Sequence, residues 1–106
     1  MQKNLNQIRY ILRSSSPTDL LPVKHLLESV NLPIKGVVDQ FQNFFVVEVE
    51  NQIIGSVGLE VYNKIGLLRS LAVHPKYQKN KLGIKLVSKV MDFASSLHLN
   101  YIFLLM

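Results

Sequence analysis

Leu67-Leu68-Arg69-Ser70-Leu71-Ala72-Val73-His74-Pro75-Lys76-Tyr77-Gln78-Lys79-Asn80-Lys81-Leu82-Gly83 is the stretch on which the reading of this chain turns. Its apolar opening continues a strand that starts at Ile65 and ends at Val73. His74-Pro75 stops that strand, because proline donates no ladder hydrogen bond and biases its predecessor away from helix. Four lysines crowd the segment from Lys76 to Lys85. Gly83 to Leu97 is then the clearest helix in the chain, with Leu86, Val87, Val90, Met91, Ala94 and Leu97 on one stripe. Strand, cationic loop, helix N-terminus: the unpaired N–H groups and the partial positive charge of a first turn make such a unit an anion trap. A basic βα loop with no ligand would have the same composition.

Working outward, Phe44 to Glu50, Ile53 to Tyr62 and Ile65 to Val73 read as a three-stranded meander. Asn51-Gln52 and Asn63-Lys64 are its turns, and Gly55 and Gly58 suggest a bulge or a close backbone approach. Ile8 to Arg13 reads as a first strand. Asp19 then caps a helix to Val30, with Pro22 tolerated in the first turn. Asn31-Leu32-Pro33 ends that helix, and Ile34 to Phe41 reads as a short second one. Tyr101 to Met106 reads as a short, fully buried fifth strand. The order β, α, (α), β, β, β, α, β implies an α/β domain around a mixed, mostly antiparallel sheet with helices on both faces.

A chain of 106 residues is one domain, not two, and 48% hydrophobic against 18% charged residues is too apolar for disorder. The absence of cysteine removes disulfides, thiolate metal sites and a Cys nucleophile. His25, His74 and His98 have no metal-ligand spacing. No apolar run reaches the roughly 20 residues needed to cross a bilayer, and the start lacks a secretory signal, so a soluble cytoplasmic protein without a membrane partner is expected. The net charge of +5 is local: Val61 to Met91 holds seven basic residues and no acidic one. Charge alone leaves a solvated face, a phosphorylated cofactor and nucleic acid open. A nucleic-acid surface would need aromatic residues among the lysines, and only Tyr77 qualifies, so no nucleic-acid partner is expected.

Val73-His74-Pro75, Gln78 and Gly83 resemble the acetyl-coenzyme A loop of the GCN5-related N-acetyltransferase (GNAT) superfamily, Gln/Arg-x-x-Gly-x-Gly/Ala after a strand ending in Val-x-Pro. Lys81 stands where the middle glycine is expected. The element order matches from residue 8 to 106. Gly58 to Tyr62 and Gly66 to Val73 are similar in wording to the arsenic-resistance N-acetyltransferase branch. The resemblance implies acetyl-CoA as cosubstrate and a small-molecule primary amine as acceptor. It places the pyrophosphate on the segment Gln78, Lys79, Asn80, Lys81, Leu82, Gly83 and Ile84, with the strand backbone at Leu71, Ala72 and Val73 positioning the acetyl arm.

Transfer to an amine requires loss of an ammonium proton and stabilisation of an oxyanion. Glu60 is the candidate base, on the strand face opposite Ile53, Val57, Leu59 and Val61; a plain surface carboxylate is its bland alternative. Arg69, a charge inside an apolar strand, lies either at the sheet's wet face or aimed at a carboxylate or phosphonate-like group of the acceptor. Tyr62 is the candidate for stacking on or hydrogen-bonding the acceptor, with cross-strand packing as its alternative. The superfamily domain usually continues through a further helix and two strands, whereas this sequence stops at Met106. A homodimer through the C-terminal strand is therefore expected. The second reading, from a different class, is a catalytically reduced CoA-binding or assembly module, since Lys81 departs from the motif and the further helix and two strands are expected to be missing.

Overall fold

The computed structural model describes residues 9–104. One sheet holds all five strands in chain order: β1 (Ile11–Ser14), β2 (Phe44–Val49), β3 (Gln52–Tyr62), β4 (Ile65–Val73) and β5 (Tyr101–Leu104). The first four are antiparallel neighbours, and β5 runs parallel to β4 because α2 (Leu82–Ser96) carries the chain back between them. The crossover from β1 through α1 (Leu20–Ser29) does not leave its strands parallel as a simple strand-helix-strand unit would. Residues 31–43 form a second return leg, containing the 3-10 helix Val37–Asn43, and reverse the direction once more. The expected helix Ile34 to Phe41 is this 3-10 segment, kinked at Gln40. The Gln40 amide pairs with both backbone groups of Val61, accepting its N–H at 2.7 Å and donating to its carbonyl at 3.2 Å. It thereby serves as a strand partner where β2 no longer reaches β3, whose last pair is Phe44 with Gly58.

Each face of the sheet has its own core. Leu82, Leu86, Val90 and Ala94, one every fourth residue of α2, pack on Val47, Val57, Leu59 and Leu68. Met91 and Leu97, expected on that stripe, are largely exposed, so the buried stripe is narrower than the apolar one. On the other face Val23, Leu26 and Leu27 of α1 pack with Val37, Phe41, Phe44, Val46 and Ala72. Burying each such aliphatic side chain contributes about 1.5–3 kcal/mol. The C-terminus of α1 closes as a Schellman motif: Asn31 is left-handed (φ 62°), its N–H reaches the Glu28 carbonyl, and the Leu32 N–H reaches that of Leu27. Asp19 does not cap α1 as expected. Its carboxylate accepts the Ser16 N–H at 2.7 Å and two bonds from Arg13, which also binds Glu48.

Two irregularities shape β3 and β4. Val47 pairs with Gly55 but Glu48 with Ile53, leaving Ile54 as an extra residue. That extra residue moves Ile53 to the α1 face, so it does not share a face with Val57, Leu59 and Val61 as a strict two-residue period requires. Ser56 pairs with Ala72 but Gly58 with Arg69, so Ser70 and Leu71 together oppose Val57. Ser70 takes a left-handed backbone (φ 59°) to make this bulge, and its carbonyl accepts the Ser56 hydroxyl at 2.8 Å. The β2–β3 turn is Glu50-Asn51, both at positive φ, one residue earlier than the sequence suggested. β5 is not buried: Tyr101, Phe103 and Leu104 are exposed, because β5 is the sheet's edge. The remainder of that expected strand, and Ile8 of the first, lie outside the described residues.

Candidate functional site

The β4 bulge stands between two clusters of functional side chains, one after β4 in sequence and one across it on β3. After Val73 the chain turns through the 3-10 helix Pro75–Asn80. The His74 Nδ1 accepts the Lys76 N–H at 3.2 Å, and Gln78 donates its side-chain amide to the Val73 carbonyl at 3.0 Å. Gln78 is thus a brace across the turn. Tyr77 is buried against the α2 core, which leaves the lysine-rich segment without an exposed aromatic for base stacking. Lys81 has left-handed geometry, φ 60° and ψ 22°, as a glycine would adopt at little cost. The Lys85 N–H bonds the Lys81 carbonyl, so the amides of Leu82, Gly83 and Ile84 precede the first intrahelical bond of α2. Apart from its chain neighbours and the helix's own backbone, no heavy atom lies within 4 Å of where a Cβ on Gly83 would stand. The backbone here is open to close approach by a ligand. Leu71 and Val73 lean partly buried on the α2 side, while Ala72 belongs to the α1 core.

The second cluster lies on the other face. Arg69 and Glu60 are 7% and 9% exposed and joined by a 2.7 Å ion pair. The Arg69 Nε donates to the Ser70 hydroxyl at 3.0 Å, and Nη2 reaches the Pro33 carbonyl at 3.4 Å. The Tyr62 hydroxyl donates to the other oxygen of Glu60 at 2.9 Å, and that bond holds the phenol above its usual range. Glu60 is therefore not a surface carboxylate: it is buried, and each of its oxygens accepts one hydrogen bond. It is the hub between Tyr62 and Arg69, and Arg69 ties the β4 bulge to the loop after α1. Gly36 (φ 80°) lets that loop pass: a Cβ there would stand 3.2 Å from Arg69 Nη1, 3.7 Å from Asp39 Oδ2 and 3.9 Å from Glu60 Oε2. Sequence reasoning brought Glu60, Tyr62 and Arg69 forward but missed Pro33, Gly36, Asp39 and Ser70. Only the unusual Arg69-Ser70 pair inside an apolar strand signalled one of them.

The turn, the helix N-terminus and Gly83 fit a pyrophosphate. The Glu60–Tyr62–Arg69 cluster fits a polar group meeting the same bulge from the opposite face. Among the described residues there is no group of His, Cys, Asp and Glu that could hold a metal ion, and no helix long and apolar enough to cross a membrane.

Residues 6–105 match the family model described as Acetyltransferase (GNAT) family. No curated protein matches the chain. Among solved structures, Rv2747 from Mycobacterium tuberculosis in complex with CoA and NLQ is similar at 22% identity and a TM-score of 0.78, over 91% of this chain and 64% of that one. N-acetylglutamate synthase from Neisseria gonorrhoeae, complexed with coenzyme A and L-arginine, is similar at 19% identity and a TM-score of 0.80, over 94% of this chain and 25% of that one. Glucosamine-6-phosphate N-acetyltransferase from Arabidopsis thaliana is similar at 20% identity and a TM-score of 0.67, over 92% and 82%. This chain thus spans less than two thirds of the length of the first two.

Proposed function

The chain belongs to the acetyltransferase (GNAT) family, and from that premise we propose that it binds acetyl-CoA and transfers the acetyl group to the primary amine of a small molecule in the cytoplasm. The observation that carries the reading is the left-handed Lys81 turn leading into α2, with Gly83 open beside it, directly after a β4 that bulges at Ser70. In this reading the amides from Lys79 to Ile84 hold the pyrophosphate, and Lys76, Lys79 and Lys81 supply long-range attraction. The β4 backbone from Leu71 to Val73 orients the acetyl arm, and Gln78 keeps the turn closed on Val73. The cosubstrate supplies the activated acyl group. On the opposite face Glu60 takes up the proton lost by the ammonium, with Tyr62 on one of its oxygens and Arg69 on the other.

The second reading, a CoA-binding or assembly module with reduced catalysis, is favoured by one feature, the Lys81 side chain at the motif's glycine position. Calorimetry with CoA, together with thiol release from acetyl-CoA in the presence of an amine panel, separates the two. Binding with turnover supports the enzyme, binding without turnover supports the module, and no binding at millimolar CoA overturns both.

A further inference from the structure

Strand register sets the side chains of β5, β4 and β3 in two rows on the α1 side of the sheet. Tyr101 pairs with Ile65 and Ile65 with Tyr62; Phe103 pairs with Leu67 and Leu67 with Glu60. The next pair inward is Arg69 with Gly58. These side chains share a face because alternate residues of a strand do. α1 covers the β2–β4 part of that face but not this end: Tyr62, Ile65, Tyr101 and Phe103 are 51%, 40%, 64% and 52% exposed. The Tyr101 and Phe103 rings lie 6.3 Å apart and 25° from parallel. A contiguous aromatic patch that ends on a buried ion pair is a binding surface rather than scattered exposure.

The polar end of this face restricts what binds it. Three of the five Arg69 N–H groups are engaged, by Ser70, Glu60 and the Pro33 carbonyl, so much of the guanidinium serves internal contacts. Buried Glu60 and exposed Asp39 both approach the same point beside Gly36, next to Arg69. Lys35 and Lys64 sit exposed on flanking turns, and solvent screens them and Asp39 alike, which leaves the buried Glu60 as the carboxylate at this end. Tyrosine rings attract ammonium groups through their faces.

Resting on the acetyltransferase reading above, we propose that the acceptor is a cationic amine with a flat aromatic body: the ring lies on Tyr101 and Phe103, and the ammonium points to Tyr62 and Glu60.

The test compares 2-phenylethylamine, butylamine and glutamate as acceptors, in the wild type and in Phe103→Ser and Tyr101→Ser, whose exposure keeps the fold intact. The expected result is a kcat/KM for 2-phenylethylamine about tenfold or more above both others, falling about tenfold in the two variants with CoA affinity unchanged. Preference for glutamate, or equal use of all three, overturns the proposal. Titration of 2-phenylethylamine followed by NMR gives a readout independent of turnover. Shifts confined to the Tyr62, Tyr101 and Phe103 region support the proposal even if CoA fails to bind and the acetyltransferase reading falls. No shift at about 20 mM amine, a concentration well above the affinity a small aromatic platform supplies, overturns it even if CoA binds. Shifts that emerge only when dilution separates two copies overturn it in favour of a self-association surface.

Discussion

Arg69 stands in the middle of a sheet, and its partners decide what its removal does. Arg69→Met leaves the Glu60 carboxylate in a nearly dry pocket without its counter-charge, which costs about 3–5 kcal/mol. Replacing both, Arg69→Met with Glu60→Met, removes the stranded charge along with its partner, so urea denaturation of the double variant is expected to show a smaller loss than the single one. Additive losses would mean the two are not energetically coupled. A direct hold on the acceptor's charge was one of the two expectations from sequence; the internal contacts make stability the first quantity to move and acceptor kinetics the second. Asp19 gives the corresponding pH effect. The hydrogen bonds from Arg13 hold its carboxyl below the usual range. Its contribution is therefore fully present above the unfolded value of about 3.9 and is lost as pH falls through the lower folded value. Asp19→Asn is expected to destabilise by about 1 kcal/mol at neutral pH, the Arg13 side of the pair being partly solvated, and to flatten the acid limb of a melting-temperature profile. An unchanged acid limb would assign that limb to other carboxylates.

Within the elements, the turn into α2 shows what a sequence reveals and what it hides. The strand ending at Val73, the helix from the Leu82-Gly83 region and the anomaly at Lys81 were legible because proline, period and motif act locally. The backbone of Lys81 was not legible, yet its left-handed geometry agrees with a glycine position. Lys81→Gly relieves about 1 kcal/mol of backbone strain and offsets part of it by unfolded-state entropy. Stability is therefore expected to change little while CoA binding tightens several-fold in calorimetry; weaker binding would mean that the ammonium itself contacts phosphate. Gly58 was legible as a close approach, and the structure gives its cause: a Cβ there would stand 2.4 Å from the Phe44 ring. Gly58→Ala is expected to cost about 2 kcal/mol or more in denaturant titration, as overpacking of a filled core does. Hidden from the sequence were the features set by register. The extra residue at Ile54 and the bulge at Ser70 move side chains between faces; Gly55 and Gly58 pointed to irregularity in β3, but not to which residue is extra or that β4 bulges. The loop contacts of Pro33, Gly36 and Asp39 with the site are likewise tertiary.

At the scale of the whole molecule, β5 has no strand on its outer side among the described residues. It is paired to β4 through residues Tyr101 to Leu104 and ends the strand order. Sheet edges in soluble proteins are guarded by lysine, proline, a bulge or a covering element. Tyr101-Ile102-Phe103-Leu104 contains neither lysine nor proline, and no register shift interrupts its pairing with β4. We propose that a second copy of the chain pairs with this edge, β5 against β5 and antiparallel across a twofold axis, the commonest closed symmetry. Such pairing consumes backbone groups along the edge and leaves the Tyr101 and Phe103 rings on the sheet face, so a homodimer and an aromatic acceptor surface are compatible. Size-exclusion chromatography with light scattering is expected to give twice the chain mass at micromolar concentration. Leu104→Lys places a charge on that edge, on the row it shares with Leu68 and Leu59 rather than with the aromatic face. It is expected to shift the protein to monomer while 2-phenylethylamine binding persists. A wild-type monomer at that concentration would show that this edge does not self-associate.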